Sequence, residues 1–101
     1  MITDKQFNDA ITAAGGWFFL TQYETIKKWN GSQSELVDLM FQAGFDKKRT
    51  GSNTRVSSSQ RIIENNRDLD ALIRIRDSVN INRQHPEAAI IASNLILKYF
   101  G

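Results

Sequence analysis

No cysteine occurs among the 101 residues. That absence removes disulfide frameworks, thiolate zinc sites and cysteine nucleophiles together. Histidine is almost as scarce. His85 stands alone, in a polar stretch before the only proline, Pro86. A metal motif that needs two histidines one helical turn apart cannot be built from it. Neither a G-x-S-x-G elbow, nor G-x-G-x-x-G, nor a phosphate-binding G-x-x-x-x-G-K-[ST] loop is present. The carboxylates are scattered, mostly on faces that read as exposed. No catalytic residue, cofactor or metal site is assigned, and a non-enzymatic role is expected.

Long apolar runs are missing too, and none approaches the roughly 20 residues needed to cross a bilayer. The opening residues, Met1 to Lys5, lack the basic-then-apolar pattern of a signal peptide. The expectation is a chain with no membrane partner and a cytoplasmic location.

What remains is an ordinary globular composition. The apolar share of 41% suffices for one core, and the charges are mixed in sign. Residues 1–101 are read as a single helical domain. The net charge is +2, from 13 basic and 11 acidic residues, less basic than a strong polyanion binder. Its distribution is uneven. Residues 1–46 hold three cations against six acids, a net of −3, and residues 47–101 hold ten against five, a net of +5. Such asymmetry marks a face for nucleic acid or an acidic partner, unless the two halves intermix in space.

Apolar periodicity and glycine punctuation predict an all-α fold, a compact orthogonal bundle of five to six short helices. The first spans Thr3 to Ala14, with a capping box (Thr3, Gln6), a hydrophobic staple (Ile2, Phe7) and Gly15-Gly16 behind it. The second spans Trp17 to Trp29, although Trp17 to Thr21 alone reads equally well as a strand. The third, Gln33 to Ala43, follows a Ser32/Glu35 capping box, precedes Gly44 and carries a stripe of Leu36, Leu39, Met40 and Ala43. Phe45 to Asn53 reads as a polar loop. Helix four is expected from Thr54 to Asn65, with Val56, Ser59, Ile62 and Ile63 inward. Helix five runs from Arg67 to Val79, with Leu69, Leu72, Ile73, Arg76 and Val79 as its stripe and Asp70 placed to pair with Arg74. Asn80 to His85 reads as a polar connection. Helix six runs from Pro86 to Phe100 along Ala88, Ile91, Ala92, Leu95 and Tyr99.

One segment reads as a site. Lys47, Lys48 and Arg49 precede Gly51. Ser52, Asn53, Thr54, Arg55, Ser57, Ser58, Gln60 and Arg61 then lead through the start of helix four. Backbone N–H groups at a helix start favour an anion, cations add charge, and small hydroxyls and amides bond phosphate oxygens. Lys47, Lys48, Arg49 and Arg55 are the candidate phosphate grips, and Ser57, Ser58 and Gln60 the candidate base contacts. Arg55 and Arg61 lie roughly 120° apart around a helix and need not share a surface. The competing reading is a solvated loop whose hydroxyls cap helix four. Helices three and four also form a helix-turn-helix-like pair, but with a nine-residue turn in place of the usual three or four.

The leading expectation is thus a nucleic-acid-binding or regulatory module. The alternative is a small protein-binding module, an inhibitor or adaptor or a homodimer. It would act through the acidic front half (Glu24, Glu35, Asp38, Asp46) or through an aromatic patch drawn from Trp17, Phe18, Phe19, Tyr23 and Trp29. Burial of those aromatics in the core is the simpler outcome.

Overall fold

Helices account for all the regular structure. The computed structural model describes all 101 residues. Its elements are α1 (Asp4–Ala14), α2 (Gly16–Lys27), α3 (Gln33–Gln42), α4 (Arg49–Glu64), α5 (Asp68–Arg76), α6 (Val79–Gln84) and α7 (Ala88–Phe100). The Cα radius of gyration is 12.9 Å, that of a compact chain of this length.

Seven helices replace the expected five to six. The additional one, α6, occupies the stretch read as a polar connection. Ser78 starts it by accepting the Ile81 amide at 3.2 Å, and Ile81 is the side chain that anchors it to the core. A single inward apolar residue leaves no period to read. Helix five correspondingly stops at Arg76, short of Val79. Pro86 lies in the turn before α7 rather than inside it. The expected loop is also shorter, because residues 49–53 form the first turn of α4. Thr50, Gly51, Ser52 and Asn53 are poor helix formers, and tertiary contacts override them. Ser52 is fully buried and donates its hydroxyl to Asp46 at 3.1 Å. Gly51 lets that carboxylate approach, since a Cβ there would sit 2.9 Å from Asp46 Oδ1.

The predicted caps of α1 form as a pair. The Gln6 amide donates to Thr3 Oγ1 at 3.1 Å and the Thr3 amide to Gln6 Oε1 at 2.9 Å, with Ile2 and Phe7 buried beside them. At α3 only half the box forms. Ser32 accepts the Glu35 amide, but its own hydroxyl goes to the Glu35 carboxylate.

The ambiguous start of α2 is helical, and the reason for its ambiguity is burial on several sides. α2 packs against α1, α4, α5 and α7. Phe19, Leu20 and Tyr23 enter one apolar cluster with Phe7, Leu72, Ile75 and Leu95. Phe18 and Ile26 enter a second with Leu36, Val37, Met40 and Val56. Phe18 and Phe19 are neighbours in sequence yet serve different clusters. The expected stripes need correcting by about one position in two helices. In α3 the buried residues are Leu36, Val37 and Met40, while Leu39 and Ala43 face out. In α5 they are Asp68, Ala71, Leu72 and Ile75. α4 and α7 follow expectation, with Val56, Ser59 and Ile62 buried in the first and Ala88, Ala92 and Leu95 in the second.

Gly15 joins α1 to α2 with φ of +82°, and a Cβ there would lie 2.5 Å from an Arg55 guanidinium nitrogen. Gly15→Ala should therefore lower stability by about 1–3 kcal/mol, through the left-handed backbone and the displaced arginine. The midpoint and slope of urea unfolding measure it; an unchanged midpoint would show that the junction relaxes freely.

Candidate nucleic-acid interface

The cationic segment divides into residues that build the fold and residues left to solvent. Asp46 makes the division. Its carboxylate sits beside the first turn of α4, accepts from the Ser52 hydroxyl and takes Arg55 Nε at 3.0 and 3.1 Å on its two oxygens. Arg55 also donates Nη1 to the Ala14 carbonyl at 2.7 Å, at the carbonyl end of α1, and its guanidinium lies over the Phe18 ring. A cation at a helix C-terminus is favourably placed, and so is an anion at a helix N-terminus. The mouth of α4 thus already holds an acid from its own chain. Arg49 is committed too. Its Nε meets Asp38 at 2.6 Å, and its Nη2 donates to the hydroxyl and carbonyl of Ser34.

Of the proposed phosphate grips, Lys47 and Lys48 remain exposed and without an acid within salt-bridge distance; Arg49 and Arg55 do not. Arg61 is likewise exposed and unpaired on the last turn of α4. Ser52 is sealed inside. Asn53 and Thr54 are exposed, and Thr54 returns its hydroxyl to the Thr50 carbonyl. Ser57 and Ser58 are half-buried, with Ser57 accepting from the Gln33 amide at 3.1 Å. Gln60 is half-buried and, with Trp29, Ile63, Lys27 and Glu64, lines a cavity of about 180 Å³ beside α2. Thr50, Asn53, Thr54, Ser57 and Arg61 recur at helical spacing and share the outer face of α4, with Lys47 and Lys48 at its near end and Glu64 at its far end. The candidate surface is narrower than the sequence suggests and comprises this outer face rather than the helix mouth.

The acidic and basic halves of the chain intermix. Arg49–Asp38, Arg55–Asp46, Arg67–Asp4 and Lys98–Glu24 all join a rear cation to a front acid. Three of the four acids named for partner binding are occupied in this way. Asp70 pairs with Arg67 at 2.7 Å rather than with Arg74, which donates to Asn8 and lies over Phe7. The aromatics form no open patch on α2. Phe18, Phe19 and Tyr23 are buried, Trp29 donates to the Ser32 carbonyl, and Trp17 stacks flat on His85 at 3.8 Å.

Two polar groupings escape sequence reasoning, because their partners lie more than 40 residues apart. Tyr23 donates to buried Asp68 at 2.5 Å, and Lys27 reaches the same carboxylate oxygen at 3.2 Å. Burial first, and then the bond to the Asp68 carboxylate, push the Tyr23 hydroxyl far above its ordinary pKa. Glu24 accepts from Lys98 at 2.8 Å and from Tyr99 at 2.7 Å, and these bonds hold its carboxyl down at about 2. Both groupings fasten α2 to its neighbours, the first to α5 and the second to α7. No three His, Asp or Glu side chains converge as metal ligands, and no helix is long and apolar enough to cross a membrane. No family model, curated protein or solved structure matches the chain.

The Glu24 shift fixes a pH dependence. A carboxyl whose folded pKa lies below its ordinary value contributes stability at pH above that value and loses it as pH falls through the folded one. Here the window runs from about 4.5 down to about 2. Glu24→Gln should flatten that part of the acid unfolding curve and leave the slope near neutrality unchanged. An identical acid limb in wild type and variant, followed by circular dichroism, would remove the assignment.

Proposed function

We propose that the protein is a small nucleic-acid-binding module, regulatory in role, that grips phosphate with Lys47, Lys48 and Arg61 along the outer face of α4. One observation carries this reading. Of the thirteen cations, five have no acid within 4 Å: Lys47, Lys48, Arg61, Arg74 and Arg83. Arg74 is held by Asn8, and three of the five unmatched charges lie on α4 or at its entry.

From the start of α4 at Arg49, just after Lys47 and Lys48, to Arg61 is about 18 Å, enough to reach across a major groove about 12 Å wide. Between them the face is small and polar. Asn53 is free to approach base edges, and an asparagine amide can pair two-pronged with adenine. In this reading α3, the six-residue turn from Ala43 to Lys48 and α4 act as a helix-turn-helix-like unit within an orthogonal bundle, with α4 as the groove-facing helix. Arg49 and Arg55 are positioning residues. They hold the turn and the helix start against α1 and α3, and their loss acts through the fold. Glu64 bounds the phosphate track at the far end.

Three phosphate contacts predict a modest salt dependence, a slope of roughly −2.7 in log K against log[salt] on duplex DNA. Affinity should fall roughly 40-fold between about 50 and 200 mM salt. Lys47→Ala/Lys48→Ala should weaken binding and reduce the slope by about 2 with the thermal midpoint unchanged. Asn53→Ala should leave the slope alone and alter sequence preference. Absence of binding to duplex DNA, single-stranded DNA and RNA at low salt would end the proposal.

A further inference from the structure

We infer that a second copy of this chain packs antiparallel along the outer face of α7, making the protein a weak isologous homodimer. The inference is independent of the phosphate reading, since α7 lies outside that site. It begins with composition. Among the thirteen residues of α7, Ser93, Asn94, Lys98 and the Tyr99 hydroxyl supply the only side-chain polarity. Large apolar side chains left exposed together on one helix face mark a contact surface. α5 and α2 cover one side of α7, where Ala88, Ala92 and Leu95 are buried. The other side is open: Ile90 is 66% exposed, Leu97 72% and Phe100 41%.

The open face matches a copy of itself. Ile90 and Leu97 are seven residues apart and so fall on one stripe, within about 20° of each other. Ser93 and Asn94, both exposed, lie midway between them. The pattern is symmetric about the point between Ser93 and Asn94. A two-fold axis there sets Ile90 of each copy against Leu97 of the other and brings the two Asn94 amides together, where they can bond reciprocally. A polar side chain at such a point fixes register between paired helices. Charge follows the same symmetry. Glu87 has no partner within its own chain; Lys98, which bonds Glu24 at 2.8 Å and keeps further N–H donors to offer, projects from the same flank of the stripe at the opposite end of α7. Reversal of one copy brings Glu87 of each beside Lys98 of the other, on both sides of the axis. An isologous contact closes on itself and stops at two copies.

The face is short, about 20 Å, so the interface belongs with the smaller specific ones, below about 1,200 Å² in total. A dissociation constant in the micromolar range is expected. Sedimentation from about 5 to 500 µM should show the mean mass rising from 11.5 kDa towards twice that value and no further. Leu97→Glu should stay at 11.5 kDa throughout with an unchanged circular dichroism spectrum, because the side chain it replaces is already solvent-facing. Glu87→Lys should weaken association roughly two- to fivefold. Orientation is read separately, using the absence of native cysteine. Ile90→Cys protein mixed with Leu97→Cys protein should oxidise mainly to the mixed dimer, and Asn94→Cys to a dimer with itself. Wild type that stays at monomer mass at the highest concentration, association that survives Leu97→Glu, growth beyond two copies, or cross-linking without pairing preference would each overturn the inference.

Discussion

The contact between Asp46 and Arg55 is the constraint on which this architecture turns. It joins four elements through two side chains: the turn after α3, the first turn of α4, the carbonyl end of α1 and, through the Phe18 ring, α2. Both groups are mostly buried, Arg55 at 29% and Asp46 at 15% side-chain exposure. Each is placed where the field of a helix end favours its sign. Removing one partner of such a pair leaves the other charge desolvated, which is why its energetic weight exceeds that of an exposed ion pair. It also explains why α4 begins as early as Arg49. The residues there have little intrinsic helix preference, and the carboxylate, the Ser52 hydroxyl and the close approach that Gly51 permits hold them in place.

That contact and the one between Arg49 and Asp38 divide the cationic segment. A run of Lys47, Lys48, Arg49, Arg55 and Arg61 reads in sequence as one charge cluster. In the fold it splits by partner. Arg49 and Arg55 have acids within reach, and Lys47, Lys48 and Arg61 have none. Charge counted along a chain overstates charge available on a surface whenever opposite signs are separated in sequence but adjacent in space.

That is also the boundary of what the sequence discloses. The helical class, the α1 capping box, the Gly15 and Gly44 stops and the α4 and α7 stripes are legible, because each depends on residues within about one or two helical turns of one another. Helix α6 and the registers of α3 and α5 are not. They are set by which side chains the neighbouring helices accept, as with Ile81 under α6 and Val37 rather than Leu39 in α3. Within the candidate site, the exposure of Lys47 and Lys48 follows from a polar turn, whereas the burial of Ser52 depends on Asp46. The Tyr23–Asp68 and Glu24–Lys98 contacts span 45 and 74 residues, and no local pattern announces them. The outer face of α7 left a trace, an excess of apolar residues over what one buried stripe needs.

The adjacent phenylalanines at positions 18 and 19 carry a consequence for how the molecule comes apart. Each is the property of a different apolar cluster, and α2 is the wall the two clusters share. Loosening either side removes the support that keeps α2 straight and sealed for the other. Local opening in such an arrangement would be confined to the outlying pieces, such as the short α6, and the two clusters would be lost together in one cooperative step. A chain with two centres of burial would thereby behave, towards heat or denaturant, as though it had one.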